Sequence, residues 1–159
     1  LSQIDQKLSK YLYLGNLDAI RDWGHAKDYI EIQWKMLQQE IPEDFVVATG
    51  RQESVRRFTE LSARELGWGG IMWEGEGINE IGRRKDTNEI VIKIDKKYFR
   101  PCEVNSLMGD ASKANKKLGW FPKTTLEELV SDMIKSDVEL ARKESLLKKE
   151  GYGFSVQRD

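Results

Sequence analysis

The spacing of apolar side chains predicts an alternation of helices and strands. In residues 24–40, Ile30, Trp34 and Leu37 recur at intervals of three or four residues. This spacing places them on one side of an amphipathic helix, which Pro42 is expected to end.

Three more helices are predicted from the same spacing and from residues that favour helix ends. They are a helix capped by Ser54 and ended by Gly67, a short helix over 110–119, and a last helix that starts at Thr124 or Thr125. Glu127 and Glu128 follow these threonines by three residues, which is the capping-box pattern. An apolar stripe then runs along the last helix through Leu126, Leu129, Val130, Met133, Ile134 and Val138.

Short β-prone runs separate the predicted helices, at 11–14, 45–48, 71–74 and 89–95. The run 45–48 is apolar throughout, which predicts a strand buried on both faces. The polar stretch 75–88 is predicted to be a loop or hairpin connection, and 75–95 as a whole includes an apparent extra strand. Strands that alternate with helices indicate the α/β class. Because so few short strands would make a thin sheet for a free-standing domain, we expect the chain to be a fragment of a larger domain.

Composition narrows the function classes. The chain has 159 residues and a net charge of −1, which gives no reason to expect nucleic acid or an acidic membrane as a partner. Cys102 is the single cysteine, so no intramolecular disulfide can form, and we expect a reducing, cytoplasmic location. No apolar run approaches the roughly 20 residues of a membrane span. The start, LSQIDQKLSK, has neither Met nor the apolar centre of a signal peptide, so we expect it to come from the middle of a protein.

The densest group of candidate binding residues is 21–29, RDWGHAKDY, at the predicted entry into the first long helix. A helix start offers free N–H groups and the positive end of a dipole, and Arg21 beside it would add a bidentate contact to a phosphate. The alternative is a surface ion pair between Arg21 and Asp22 or Asp28.

A second group is 98–103, YFRPCE. Pro101 stiffens the turn and favours an extended backbone at Arg100. Arg100 and Glu103 could hold a phosphate and a ribose diol, with the carboxylate accepting from both hydroxyls. Taken alone, the pattern favours an Arg–Glu pair that only staples the loop.

Other candidates favour structural roles. His25 is the only histidine, and no second His or Cys cluster accompanies it, so a zinc site is not expected. The stretch 75–80, GEGINE, fails as a dinucleotide-binding loop because its sixth residue is Glu. Cys102 is better explained as a packed small residue, and the five tryptophans as core or interface aromatics.

Seven segments together resemble the GDP-mannose 4,6-dehydratase family. They are 12–29, 36–39, 42–49, 98–104, 109–114, 118–120 and 145–148. The resemblance covers nearly the whole chain. It implies the C-terminal, substrate-binding portion of an extended short-chain dehydrogenase/reductase, without the N-terminal Rossmann half.

The resemblance also implies roles for three residues. An Arg at the position of Arg21 and another at the position of Arg100 contact the substrate pyrophosphate in that superfamily, and an acidic residue at the position of Glu103 binds the ribose hydroxyls. The family reaction converts GDP-mannose to GDP-4-keto-6-deoxymannose. NADP takes a hydride from C4 of the sugar, water is lost across C5–C6, and the hydride returns at C6.

The family's catalytic residues have no counterparts here. None of the five tyrosines has a Lys four residues later, and no intact glycine loop occurs. We therefore expect the Rossmann half of the same enzyme to be a partner that binds NADP, with residues about 24–50 packing on it. A homo-oligomer is expected when the enzyme is complete, and the isolated chain is expected to be inactive. The alternatives are a stand-alone GDP-sugar-binding module and a related nucleotide-sugar epimerase or reductase.

Overall fold

The computed structural model describes residues 1–99 and 108–152. Its helices are α1 (Ser2–Asp5), α2 (Ala26–Leu37), α3 (Val55–Glu65), α4 (Ser112–Leu118) and α5 (Leu126–Lys149). Its strands are β1 (Leu12–Leu14), β2 (Ile20–Asp22), β3 (Gln52–Ser54), β4 (Ile71–Glu74), β5 (Ile81–Arg84) and β6 (Ile90–Ile94). The predicted mixture of strands and helices is confirmed.

The chain divides into two compact units. Among the described residues, the first comprises 1–15, 60–99 and 130–152, and the second comprises 16–59 and 108–129. No helix in the described part of the chain is both long and apolar enough to cross a membrane.

The first unit is built on a four-stranded sheet in the order β1-β6-β5-β4. β1 runs parallel to β6, and the other neighbours are antiparallel. The core of this unit is formed by five buried residues: Ala63, Trp68, Ile71, Val91 and Ile92. Residues on α5, Val130 and Ile134 among them, are buried in this unit as the apolar stripe predicted, whereas Met133 is exposed.

Strand β5 lies within 75–88, so the hairpin alternative and the extra strand are confirmed, while a plain loop is wrong. The sequence of β5, IGRR, has little β propensity. Gly82 is nevertheless required there, because a Cβ would lie 2.9 Å from the Trp73 ring and 3.0 Å from Ile71 and Ile92 side-chain atoms. The glycine that weakens the pattern is thus the residue that lets the strands pack.

The second unit contains the ribbon β2–β3 and the helices α2 and α4. Its core is formed by Ile32, Ala114 and Trp120, all fully buried. Trp120 also donates from its ring N–H to the carbonyl oxygen of Asp28, at 3.0 Å. This bond fixes the segment after α4 against the first turn of α2.

The prediction that 45–48 is a strand buried on both faces is wrong for the described structure. Phe45 and Val47 pack against the core of the second unit, but Val46 is exposed. The segment pairs with no strand among residues 1–99 and 108–152. A strand needs a partner for its backbone groups, and the described part of the chain supplies none.

The helix ends follow the predicted capping residues closely. The hydroxyl of Ser54 accepts from the Arg57 N–H at 3.1 Å, and Thr125 and Glu128 form the reciprocal capping box at the start of α5. Gly119 ends α4 in the left-handed conformation, with φ of 59°. Helix α2 is shorter than the predicted 24–40 and ends at Leu37, before Pro42.

The apolar side of α2 is largely exposed. Ile30 is exposed, and Trp34 and Leu37 are 61% and 82% exposed. The opposite side, with Ile32, faces the core of the second unit. The predicted amphipathic spacing is therefore present, but within the described chain the apolar stripe remains uncovered.

Candidate functional site

Arg21 lies in strand β2, and not at the start of the helix α2, beside which the sequence pattern placed it. Its side chain is partly buried, and one guanidinium N–H donates to the carbonyl oxygen of Ile20 at 2.7 Å. Across the ribbon, Arg21 is opposite Glu53 of β3. The candidate phosphate ligand is thus carried by a strand rather than by a loop.

The neighbouring Asp22 holds a distant loop. Its carboxylate accepts from the Thr49 N–H through both oxygens and from the Gly50 N–H, each at 3.0 Å. The loop leads directly into β3, so the carboxylate joins the end of β2 to the approach to its partner strand.

Trp23 completes the attachment of β2 to its surroundings. Its ring N–H donates to the Glu53 carbonyl at 3.1 Å, and its ring packs against Phe58 at a tilt of 38°, with centroids 4.7 Å apart. The contacts of Trp23 therefore attach the end of β2 to β3 and to α3, in addition to the strand pairing.

The start of α2 is capped by His25. Its Nδ1 accepts from the Lys27 N–H at 3.0 Å, so this residue has the structural role that was expected. Because the imidazole occupies that N–H, the helix start offers fewer free donors to an anion than the sequence pattern predicted.

Asp28 in the first turn of α2 holds the segment before α5. Its carboxylate accepts from the N–H groups of Lys123 and Thr124, at 3.1 and 2.9 Å. Burial of this carboxyl opposes its ionisation, but the hydrogen bonds from Thr124 and Lys123 outweigh burial and hold its pKa below the ordinary value. Asp28 is therefore a buried, ionised anchor.

Sequence reasoning missed these roles of Asp22 and Asp28, which it treated as possible ion partners of Arg21. The available signal was weak: an Asp at a strand end or in a first helical turn often accepts backbone N–H groups, but the sequence does not say which ones.

The loops held by the two carboxylates line one cavity of about 530 Å³ within the second unit. Thr49 and Gly50, held by Asp22, lie on its wall together with Lys123, held by Asp28. Arg51 also lines the cavity and donates to the Thr124 carbonyl at 3.1 Å. No such cavity was predicted.

Arg100, Cys102 and Glu103 lie outside the described residues. Of the three predicted site residues, only Arg21 therefore has described surroundings. Within 1–99 and 108–152, no group of three or more His, Cys, Asp or Glu side chains lies close enough to hold a metal ion.

The fold matches parts of solved structures of longer chains. RMD from Pseudomonas aeruginosa complexed with NADPH aligns with a TM-score of 0.67 and 18% identity, over 87% of this chain and 40% of that one. UDP-glucose 4-epimerase from Bifidobacterium longum, in complex with NAD+ and UDP, aligns with a TM-score of 0.59 and 18% identity, over 96% and 39%. The chain is thus an α/β portion of the extended short-chain dehydrogenase/reductase fold.

Sequence comparison defines the family within that fold. The family model described as GDP-mannose 4,6 dehydratase matches residues 1–133. GDP-mannose 4,6-dehydratase of Vibrio cholerae serotype O1 is 49% identical over 98% of this chain and 44% of its own length. The Cricetulus griseus protein of that name is 56% identical over 81% and 34%. The chain belongs to the GDP-mannose 4,6-dehydratase family, and it spans less than half the length of these relatives.

Proposed function

We propose that this chain supplies GDP-sugar binding to an enzyme that converts GDP-mannose to GDP-4-keto-6-deoxymannose. The observation that carries the proposal is the position of Arg21. It lies within a family-matching segment and on a strand that is held by the side-chain contacts of Asp22 and Trp23. A fixed cation can make charge-assisted hydrogen bonds to a diphosphate with little loss of conformational entropy.

Three residues divide the proposed binding task. Arg21 and Arg100 contact the diphosphate, and Glu103 accepts from the two ribose hydroxyls. These contacts lie away from the reacting sugar carbons, so their binding energy serves to orient the sugar. The proposal requires Arg21 and Arg100 to face one cleft.

NADP and the catalytic residues belong, in this proposal, to a Rossmann half outside these 159 residues. The exposed side of α2 and the exposed Val46 of the unpaired segment 45–48 support it, because these apolar groups have no cover in the described chain. We propose that residues about 24–50 pack on that half and that the complete enzyme is a homo-oligomer. The isolated chain should release no 4-keto product from GDP-mannose and NADP, and detection of that product would contradict the division of tasks.

Titration calorimetry of the complete protein with GDP-mannose tests the ligand roles. Arg100→Ala and Arg21→Ala should each weaken binding by about 1.5–3 kcal/mol, the range for hydrogen bonds to charged groups. Arg64→Ala is the matched control, because Arg64 is an exposed arginine on α3. An unchanged dissociation constant for either variant would show that the arginine is not a ligand.

A further inference from the structure

We propose that Asp22 is a positioning residue for nucleotide-sugar binding. Its carboxylate holds the strand that carries Arg21 in place and does not itself contact the ligand. The inference rests on the proposed function, because it takes Arg21 to be a ligand of the diphosphate.

The ribbon that carries Arg21 is too short to fix its own position. β2 and β3 pair over three residues each, with Ile20 opposite Ser54 and Asp22 opposite Gln52. An isolated two-stranded ribbon is marginally stable in water. The orientation of Arg21 therefore depends on contacts outside the paired residues, which include backbone bonds between 17–19 and 55–56 and contacts of the ribbon's side chains.

Asp22 makes the contacts at the end of the ribbon nearest Arg21. The two amides that it binds belong to Thr49 and Gly50, and the hydroxyl of Thr49 in turn accepts from the Arg51 N–H at 3.1 Å. The loop 49–51 is thereby closed on itself and tied to β2. Hydrogen bonds from backbone N–H groups to a carboxylate are of the stronger, charge-assisted kind.

A different role for Asp22 would be to balance the charge of Arg21 as an ion partner. The geometry separates the two roles, because a single carboxylate oxygen, Oδ2, accepts from both Thr49 and Gly50 at 3.0 Å. Oδ1 also contacts the Thr49 N–H, so an Asn side chain must turn to move its NH2 group away from that donor. Its carbonyl oxygen can then accept both bonds at the place of Oδ2, while the charge is lost. A backbone anchor therefore survives Asp22→Asn, whereas an ion partner does not.

A double-mutant cycle in the complete protein tests the inference, with GDP affinity measured by titration calorimetry and the fold checked by near-ultraviolet circular dichroism. The variants are Asp22→Ala, Asp22→Asn, Arg21→Ala and the Asp22→Ala/Arg21→Ala pair. Asp18→Ala is the matched control, because Asp18 is an exposed carboxylate of the same unit that pairs with Arg56. Its GDP affinity should equal that of the unchanged protein.

We expect Asp22→Ala to weaken GDP binding about tenfold, as the loss of charge-assisted bonds implies, and Asp22→Asn to stay within about threefold. The effect of Asp22→Ala should vanish when Arg21 is already Ala, because there is then no guanidinium to misplace. The inference would be overturned if Asp22→Ala lowered GDP affinity equally in the presence of Arg21 and in the Arg21→Ala variant. It would also be overturned if Asp22→Asn lowered GDP affinity as much as Asp22→Ala.

The failure of the inference can be told from failure of the proposed function. If Arg21→Ala weakens GDP binding and Asp22→Ala does not, only the role of Asp22 is wrong. If Arg21→Ala leaves the affinity unchanged, the ligand role of Arg21 is wrong and the inference is overturned with it.

Hydrogen exchange of the Thr49 and Gly50 amides keeps the test decisive if Asp22→Ala does not fold. In Asp22→Asn, retained protection together with retained GDP affinity supports the anchor. Lost protection with retained affinity would overturn it, because the loop would then be irrelevant to binding.

Discussion

At the residue scale, two aspartates of the segment 21–29 share one way of acting. Asp22 binds the amides of Thr49 and Gly50, and Asp28 binds those of Lys123 and Thr124. Each carboxylate thus joins its own strand or helix to a loop far away in the sequence. The acidic residues of this segment therefore organise the second unit, and Arg21 stays its candidate ligand-binding residue.

The lowered pKa of Asp28 predicts a pH dependence of stability. A carboxyl whose pKa is lower in the folded than in the unfolded chain stabilises the fold above the unfolded value, and this contribution is lost as the pH falls through the folded value. The window therefore lies below about pH 4, the ordinary pKa of Asp. We expect Asp28→Asn to be less stable at pH 7 by about 1–3 kcal/mol and to lose less stability on acidification.

Urea unfolding of the 159-residue chain at several pH values between 2.5 and 7, chosen to bracket the ordinary Asp pKa, measures this dependence. Asp44→Asn is the control, because Asp44 is exposed. The free energy of unfolding of Asp44→Asn should equal that of the unchanged chain at every pH. An Asp28→Asn curve parallel to that of the unchanged chain would contradict the ionised-anchor role.

The contrast between helices and strands shows how far local sequence predicts the elements. The caps at Ser54, Thr125 and Gly119 were predicted because a cap is set by residues within one turn of it. Strands depend on distant partners, which local sequence does not show. The apolar run 45–48 was therefore predicted to be a strand, although the described chain offers it no partner. β5 was hard to recognise because it contains Gly82, which the neighbouring side chains require.

The capping box of α5 gives a prediction at the same scale. Thr125 accepts from the Glu128 N–H at 3.2 Å, and Glu128 accepts from the Thr125 N–H at 2.7 Å. Thr125→Ala removes the side-chain acceptor and should cost about 0.5–2 kcal/mol of stability, measured by urea unfolding. Ser136→Ala, at an exposed position within the same helix, should cost nothing measurable. Equal stabilities for the two variants would show that the box does not hold the helix start.

At the scale of the whole molecule, the site is less predictable than the fold. Arg21 was selected for its position before a predicted helix start and its role was implied by the family resemblance, whereas its strand and anchors emerged only from the structure. The cavity lined by Thr49, Gly50 and Lys123 has no sequence signature, because contacts between distant segments create it. Convergence of Arg21 with Arg100 and Glu103 stays a prediction, since the latter two lie outside the described residues.

The uncovered side of α2 supplies the last prediction. Trp34 and Leu37 are 61% and 82% exposed, and the chain spans 44% of the length of its Vibrio cholerae relative. If the rest of the protein covers this side, burial of such a side chain contributes about 1.5–3 kcal/mol in the complete protein and almost nothing in the 159-residue chain. Leu37→Glu should therefore destabilise the complete protein while leaving the short chain's stability unchanged. An uncovered apolar side also favours self-association, so we expect the short chain to self-associate and Leu37→Glu to reduce this.

Thermal unfolding of both forms and sedimentation of the short chain measure these effects together. Gln33→Glu adds the same charge at an exposed polar position of α2 and is the matched control. It should be neutral in both forms, because no apolar contact is lost. If Leu37→Glu also left the complete protein unchanged, α2 would face solvent there as well. Residues 24–50 would then have to pack on the Rossmann half through a surface other than the apolar side of α2.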